Sequence, residues 1–335
     1  MSMPALFKGR LSIPVIGAPL FIISVPDLVI AQCKAGVVGS FPALNARPPA
    51  LLDEWLARIK EELAAYDKAH PERPSAPFAV NQIVHKSNNR LDQDLALCEK
   101  HKVPMMITSL GAREELNQAA HNWGCIVFHD VINQKFAHKA VEKGADGLIL
   151  VSAGAGGHAG EISPFAFVAE TRQWFDGPIA LSGAIATGRA IRAARALGAD
   201  FAYIGSAFIA TAEANAVEGY KQMITSSGAE DIVYSNLFTG VHGNYLKPSI
   251  VAAGMDPENL PTSDPSKMRL ETASALPCCG CLGGSPLAIP KFEATCSTRA
   301  ATEAACETSA ATAMARPPLA LIRATTASAS SARSR

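Results

Sequence analysis

The run Ala140–Gly160, AVEKGADGLILVSAGAGGHAG, decides how this chain is read. It opens as the end of a helix-like stretch, turns at Gly144-Ala145-Asp146, enters the apolar run Gly147 to Val151, and leaves through a loop with glycines at 154, 156, 157 and 160 around one histidine. A short apolar run bounded by turn signals reads as a strand buried on both faces, as in a parallel sheet. The glycines beyond it let backbone approach a flat ligand closely. His158 then stands at the C-terminal end of a strand, in what reads as a catalytic loop.

The same order recurs downstream. Ala194 to Gly205, ARALGADFAYIG, again runs from a helix end through Gly-Ala-Asp into a buried strand. Working outward from this pair, eight strand-like runs appear: Ile13–Ala18, Gly36–Phe41, Phe78–Ile83, Val103–Thr108, Cys125–His129, Gly147–Val151, Pro178–Ser182 and Phe201–Gly205. Amphipathic stretches such as Pro49–Tyr66, Leu91–Lys100, Arg113–Asn122, Phe136–Lys143 and Thr187–Leu197 lie between them, and an eighth helix-like stretch spans Ala210–Ser226. Repeated βα units of this kind predict an α/β fold, a (β/α)8 TIM barrel, whose active site sits at the C-terminal ends of the strands. Alternation alone does not show closure, so a doubly wound sheet stays open as the alternative.

Residues 1–228 are expected to form the barrel. Residues 229–268, with Tyr234, Phe238, His242, Tyr245 and several glycines but no clear period, read as a lid or small subdomain segment. From about Arg269 the composition turns abruptly to Ala, Ser, Thr, Arg, Pro and Cys, which predicts an irregular tail over 269–335, disordered or translated out of frame. Cys278-Cys279-Gly280-Cys281 lacks a second matching pair and a nearby histidine, so no metal site is expected there. Cys33, Cys98 and Cys125 lie within helix and strand patterns and read as buried free thiols.

The 335 residues carry 30 basic and 30 acidic side chains, which leaves no overall field to recruit nucleic acid or an anionic membrane. No apolar run reaches the roughly 18 residues needed to cross a bilayer, and no signal-peptide core is seen. The expected setting is cytoplasmic, and the expected partner a small molecule. The oligomeric state is not legible.

Several strand ends offer bare backbone or short polar groups: Gly17-Ala18-Pro19-Leu20, Asn81-Gln82, Ser182-Gly183-Ala184 and Gly205-Ser206-Ala207-Phe208. Small residues after the last two strands would expose N–H groups to a phosphate, with the Ser206 hydroxyl beside them. Taken singly, each set equally serves close helix–strand packing. No G-x-G-x-x-G run follows a strand with an acidic residue about 20 positions on, which argues against a Rossmann-type nicotinamide site. A lone histidine is more often structural than catalytic. His158, however, is flanked by Gly156, Gly157 and Gly160 and has little side-chain packing of its own to explain it. Its near-neutral pKa suits it to take a proton from a carbon acid or to stabilise an anion.

Taken together, the stretch His129-Asp130-Val131-Ile132-Asn133, the Gly144-Ala145-Asp146 turn and Ala155-Gly156-Gly157-His158-Ala159-Gly160 resemble the nitronate monooxygenase family, formerly called 2-nitropropane dioxygenases. The resemblance runs from about Ile13 to Met268. It implies an FMN-dependent (β/α)8 barrel with His158 as the catalytic histidine. It further implies flavin contacts at Gly17, Ala18, Pro19 and Leu20, at Asn81 and Asp130, at Gly156 and Gly157, at Ser182, Gly183 and Ala184, and at Gly205, Ser206, Ala207 and Phe208. The implied reaction oxidises an alkyl nitronate, such as propionate 3-nitronate, with dioxygen to a carbonyl compound and nitrite. Three other readings stay open: an FMN-dependent NAD(P)H reductase acting on an enoyl-acyl carrier protein or a quinone, a catalytically silent flavin-binding protein, and an ordinary phosphate-binding barrel.

Overall fold

The computed structural model describes residues 4–263, which lie in one compact unit. The expected irregular tail over 269–335, with its cysteines, lies outside the described residues. The barrel strands are β1 (Val15–Gly17), β2 (Gly39–Pro42), β3 (Phe78–Ile83), β4 (Met105–Ser109), β5 (Ile126–Val131), β6 (Gly147–Val151), β7 (Ile179–Ser182) and β8 (Phe201–Ile204). They form one parallel sheet in the order β1-β8-β7-β6-β5-β4-β3-β2. A parallel bridge between Ile16 and Val38 joins its two ends, with Gly17 N–H donating to Val38 O at 2.8 Å and Val38 N–H to Val15 O at 3.1 Å. The sheet is therefore a closed barrel, and the doubly wound alternative falls away.

Side chains alternate along the strands, so successive inward positions build layers. Ile16, Val38, Ala79, Met105, Ile107, Phe128, Ile149, Ala180 and Phe201 fill the interior. Gly147 makes room for Phe128, since a Cβ there would sit 2.6 Å from that ring. The floor is closed by the N-terminal turn Ala5–Phe7, whose Phe7 ring meets Phe201 at 4.9 Å and Phe128 at 6.4 Å, both edge-on. Above the apolar layer, four of the next inward positions are polar, Asn81, Ser109, Asp130 and Tyr203, while Val151 on β6 stays apolar.

The outer layer comprises α1 (Pro26–Lys34), α2 (Ala50–Ala69), α3 (Leu91–Lys100), α4 (Glu114–Asn122), α5 (Gln134–Glu142), α6 (Pro164–Thr171) and α7 (Gly188–Leu197). Thr187 caps α7 by accepting from Ala190 N–H, and Gly198, at φ 111°, ends it in a left-handed turn. Of the predicted stretch Ala210–Ser226 only Glu218–Ser226 is helical (α9), and a separate short helix, α8 (Ser206–Ile209), precedes the stretch. Between them Asn215 is tied to the loop after β1, its N–H donating to Ile23 O and its side-chain amide to Ile22 O, so the chain cannot run straight. The segment read as a lid or subdomain holds an antiparallel hairpin, β9 (Ile232–Ser235) and β10 (Gly243–Leu246), followed by α10 (Lys247–Ala252).

The Gly-Ala-Asp echo has one structural cause. Asp146 Oδ2 accepts Val127 N–H at 2.8 Å, and Asp200 Oδ2 accepts Ile179 N–H at 2.9 Å. Each aspartate, just before its own strand, holds an N–H at the start of the neighbouring strand. Asp146 is paired with His121 and Asp200 with Arg172.

Cys33, Cys98 and Cys125 are buried and free, and burial pushes the Cys33 and Cys98 thiols up to about 12. No helix among the described residues is long and apolar enough to cross a membrane.

Candidate active site

The C-terminal ends of the strands gather the residues singled out from sequence. The loop after β6 is the centre. Gly154 lies against the turn after β7, where a Cβ on it would come within 3.2 Å of the Ala184 Cβ, and Ala184 N–H donates to Gly154 O at 2.9 Å. Gly183 and Ala184 both take positive φ, 142° and 51°, so this turn is held in a conformation that side chains disfavour. Gly156 faces Ser206, whose Oγ would stand 2.7 Å from a Cβ at that position. Gly205 in turn lies against the loop after β1, 3.1 Å from Leu20 and 3.4 Å from Ala18 by the same measure. Gly17 is buried at the end of β1, and its carbonyl accepts the Ser40 hydroxyl. Glycine-lined backbone thus runs continuously from the loop after β1, past α8, to the loops after β6 and β7.

Pro19, on the loop after β1, and Ser182, the last residue of β7, are both half-buried. Ala207 is packed partly into the outer shell, and the Phe208 ring goes fully into it, beside Ile204 and Ile209. Phe208 therefore faces the mouth with its backbone alone.

On the facing wall a polar chain descends into the barrel. Asn81 Nδ2 donates to Ser109 Oγ at 2.8 Å and to Ile107 O at 3.1 Å, and Ser109 Oγ donates to Asp130 Oδ2 at 2.6 Å. Burial pushes the Asp130 carboxyl up to about 6, against the opposing Ser109 hydrogen bond. Tyr203 is raised by burial first and then by the charge on Asp130. Asp130 enters this wall because β5 runs to Val131, two residues beyond the expected end at His129. Ser109 closes β4 one residue past its expected end, and Tyr203 lies inside the expected eighth strand. Neither was singled out from sequence, although period-two alternation from Ile107 and Phe201 points both into the barrel.

His158 sits in a two-residue strand, Gly157–His158, and its side chain is exposed at the mouth. Protein walls still crowd the ring, and this desolvation draws its pKa below the ordinary histidine value. The hairpin provides much of the wall. Asn244 Nδ2 donates to Ala155 O at 2.7 Å, Ala159 N–H donates to His242 O at 3.2 Å, and Tyr234 OH donates to Ala159 O at 3.3 Å. Tyr234 stacks on His242 at 5.1 Å. The His158 Nε2 atom lies 2.9 Å from Thr239 Oγ1 in the loop between β9 and β10. Thr239 is 81 positions away from His158, and no sequence signal links them. Among the described residues no group of three His, Cys, Asp or Glu side chains is placed to hold a metal ion.

Fold and mouth together define a class: a (β/α)8-barrel enzyme with one histidine held at a glycine-lined opening. Residues 56–269, well over half of the chain, match the family model described as nitronate monooxygenase, and the chain belongs to that family. It is an oxidoreductase. A nitronate monooxygenase of Paraburkholderia phytofirmans is 27% identical over 284 residues, covering 73% of this chain and 76% of the relative. Among solved structures, FabK from Thermotoga maritima is similar with a TM-score of 0.62 and 25% identity, over 72% of this chain and 73% of that one. A nitroalkane oxidase from Streptomyces ansochromogenes superposes with a TM-score of 0.61 at 22% identity, over 72% and 79% of the two chains, which is a likeness of fold.

Proposed function

We propose that this protein uses FMN to oxidise alkyl nitronates, propionate 3-nitronate among them, with dioxygen to a carbonyl compound and nitrite. The observation that carries the reading is His158, held on a glycine loop at the strand ends of a barrel whose family is nitronate monooxygenase. FMN, when bound, supplies the redox chemistry that no side chain here can perform.

The residues present fit such a group. Gly156 and Gly205 form part of a cradle that a Cβ would fill, against Ser206 Oγ and Leu20 respectively. The Ser206 hydroxyl is exposed, and the first N–H groups of α8, on Ser206 and Ala207, have no intrahelical partner, so both are suited to a phosphate. Gly17 to Leu20, Asn81, Asp130, Gly156, Gly157 and Ser182 to Ala184 would then surround the flat ring system, with Gly205 to Phe208 at its phosphate. Ala184 N–H is already given to Gly154 O, so Ala184 would contribute contact and shape rather than a donor.

His158 has two tasks in this reading. Toward a nitronate, which arrives as an anion, it orients the nitro oxygens by hydrogen bonding. Toward a neutral nitroalkane it takes the proton from the carbon beside the nitro group, and the electron pair of the broken C–H bond stays on the substrate as the nitronate. Desolvation keeps the imidazole neutral, the form that can accept this proton. The Tyr234 and His242 rings stack beside this loop, and Tyr234 OH donates to Ala159 O.

The test is the absorption spectrum of the purified protein before and after anaerobic addition of propionate 3-nitronate, with NADH in a parallel sample. A bound-FMN spectrum that bleaches with nitronate supports the proposal. Bleaching by NADH alone assigns the protein as a reductase, and a spectrum indifferent to both assigns a silent flavin binder. A colourless preparation overturns the FMN assignment.

A further inference from the structure

We infer that Thr239 is a positioning residue for His158, fixing its neutral ring with the proton on Nε2 and leaving Nδ1 as the proton acceptor. The inference rests on the function proposed above for its catalytic meaning and on hydrogen-bond counting for its structure. Thr239 Oγ1 has three neighbours: His158 Nε2 at 2.9 Å, Val241 O at 3.0 Å and Val241 N at 3.3 Å. A hydroxyl carries one proton and two acceptor sites, and a carbonyl oxygen only accepts. The Thr239 proton therefore goes to Val241 O. The Val241 N–H donates to Thr239 Oγ1, and the remaining acceptor site is aimed at His158. That contact closes as a hydrogen bond only when Nε2 carries the proton, and the tautomer follows from the partners.

The threonine is itself held firmly. Its loop turns through Gly240, which has φ 76° and donates its N–H to Asn236 O at 2.9 Å. Asn236 is buried and exchanges two hydrogen bonds with the Ser263 backbone, donating from Nδ2 to O at 3.2 Å and accepting N–H on Oδ1 at 3.1 Å. The hydroxyl thus sits on a pinned turn, and an acceptor with a fixed direction selects one tautomer of the ring.

The chemical consequence is direct. When a neutral nitroalkane gives up its proton, the C–H bond breaks, its pair remains on the substrate as nitronate, and the proton joins Nδ1. The resulting imidazolium still donates from Nε2 to Thr239, so nothing in the network has to reorient during the transfer. A hydroxyl proton bound to Val241 O cannot serve as the donor to Nε2, so the opposite tautomer would face Thr239 lone pair to lone pair.

Thr239→Val removes the hydroxyl at nearly constant shape, and Thr239→Ser restores it. With histidine labelled by nitrogen-15, and the His158 signals identified by their loss in His158→Gln, the wild-type protein and Thr239→Ser should show a protonated Nε2 and a bare Nδ1. Thr239→Val should show mixed tautomers. In parallel, the ratio of nitroethane turnover to ethylnitronate turnover should fall roughly 10- to 100-fold in Thr239→Val, within the range a general base contributes, and recover in Thr239→Ser. A proton on Nδ1 in the wild type, or a tautomer indifferent to Thr239→Val, overturns the assignment. The nuclear magnetic resonance readout needs no substrate. A protein with the expected tautomer that turns over neither compound therefore supports Thr239 and overturns the proposed function instead.

Discussion

His158 and Asp130 are both titratable groups moved by burial, in opposite directions of charge, and their consequences separate cleanly. Burial lowers the pKa of the histidine and raises that of the aspartate, because each shift favours the neutral form. For His158 the result is a base ready at neutral pH. His158→Ala should lower turnover of neutral nitroalkanes by at least about 100-fold, the usual scale of a lost general base, with a smaller loss on pre-formed nitronates. Steady-state rates on the two substrate forms decide it, and equal losses on both would remove the base role. Asp130 acts on stability. Its folded value of about 6 lies above the ordinary 3.8, so the native state holds the proton more tightly than the unfolded chain. The favourable contribution is complete below about pH 4, is lost as pH rises to about 6, and leaves a constant cost above that. The cost is about 3 kcal/mol, from roughly 1.4 kcal/mol per pH unit. Asp130→Asn should therefore raise the thermal midpoint by several degrees at pH 8, at roughly 2–4 °C per kcal/mol. The gain should vanish near pH 4. A midpoint unchanged at pH 8 would show that Asp130 is ionised there without strain.

At the scale of elements, the hairpin β9–β10 and the loop after β6 form one working unit. Gly243 packs so closely on that loop that a Cβ would stand 2.6 Å from Gly157 O and 2.9 Å from Gly157 C. Both neighbours are backbone and cannot swing aside. Gly243→Ala should therefore displace the Gly157–His158 strand, lowering turnover by roughly 10-fold or more while leaving the circular dichroism spectrum native, since a displacement near 1 Å is enough for such a loss. Gly219→Ala is the control, because a Cβ there meets nothing within 4 Å. It sits in α9, should stabilise by up to about 1 kcal/mol, and should leave turnover alone. The barrel strands are legible in sequence because each is a short apolar run between turn signals, and their ends are displaced by three residues at most, as at Gly36, where φ 78° and close packing on Ser12 delay β2 to Gly39. Helices α1 and α6 fall outside the amphipathic stretches named from sequence. Leu28, Val29, Ile30 and Cys33 bury most of α1, and Phe167 and Val168 the middle of α6, which blurs the polar face. The glycine mouth is local in sequence and so could be read there. The Asn81–Ser109–Asp130 chain and the Thr239 contact join residues 21 to 81 positions apart, and only closure of the barrel and docking of the hairpin bring them together.

Across the whole molecule, stability and chemistry occupy opposite ends of the barrel, the division expected of this fold. The lower end carries the Phe7 floor and the two Gly-Ala-Asp turns, and the upper end carries His158. Arg172 is the main fastener below. Its guanidinium donates to Asp200 Oδ2 at 2.6 Å and to the carbonyl oxygens of Gly198, Phe175 and Gly177 at 2.9, 3.1 and 2.6 Å. The two side chains of the pair are only 13% and 20% exposed. Asp200→Asn keeps the shape but leaves a nearly buried guanidinium without its counter-charge, a change that costs about 3–5 kcal/mol when one partner of a buried pair is lost. The amide oxygen retains the bond from Ile179 N–H, so the lower half of that range is expected. Pairing Asp200→Asn with Arg172→Met removes the stranded charge and should recover part of the loss, since residues in direct contact do not combine additively. Turnover per folded molecule, measured well below the unfolding midpoint, should be unchanged in both variants, because Asp200 precedes β8 and Arg172 ends α6, both at the end of the barrel opposite His158. A fall in turnover at full folding would mean that the register of β8 is transmitted to Gly205 and Ser206 at the mouth, and that the two ends of the barrel are coupled.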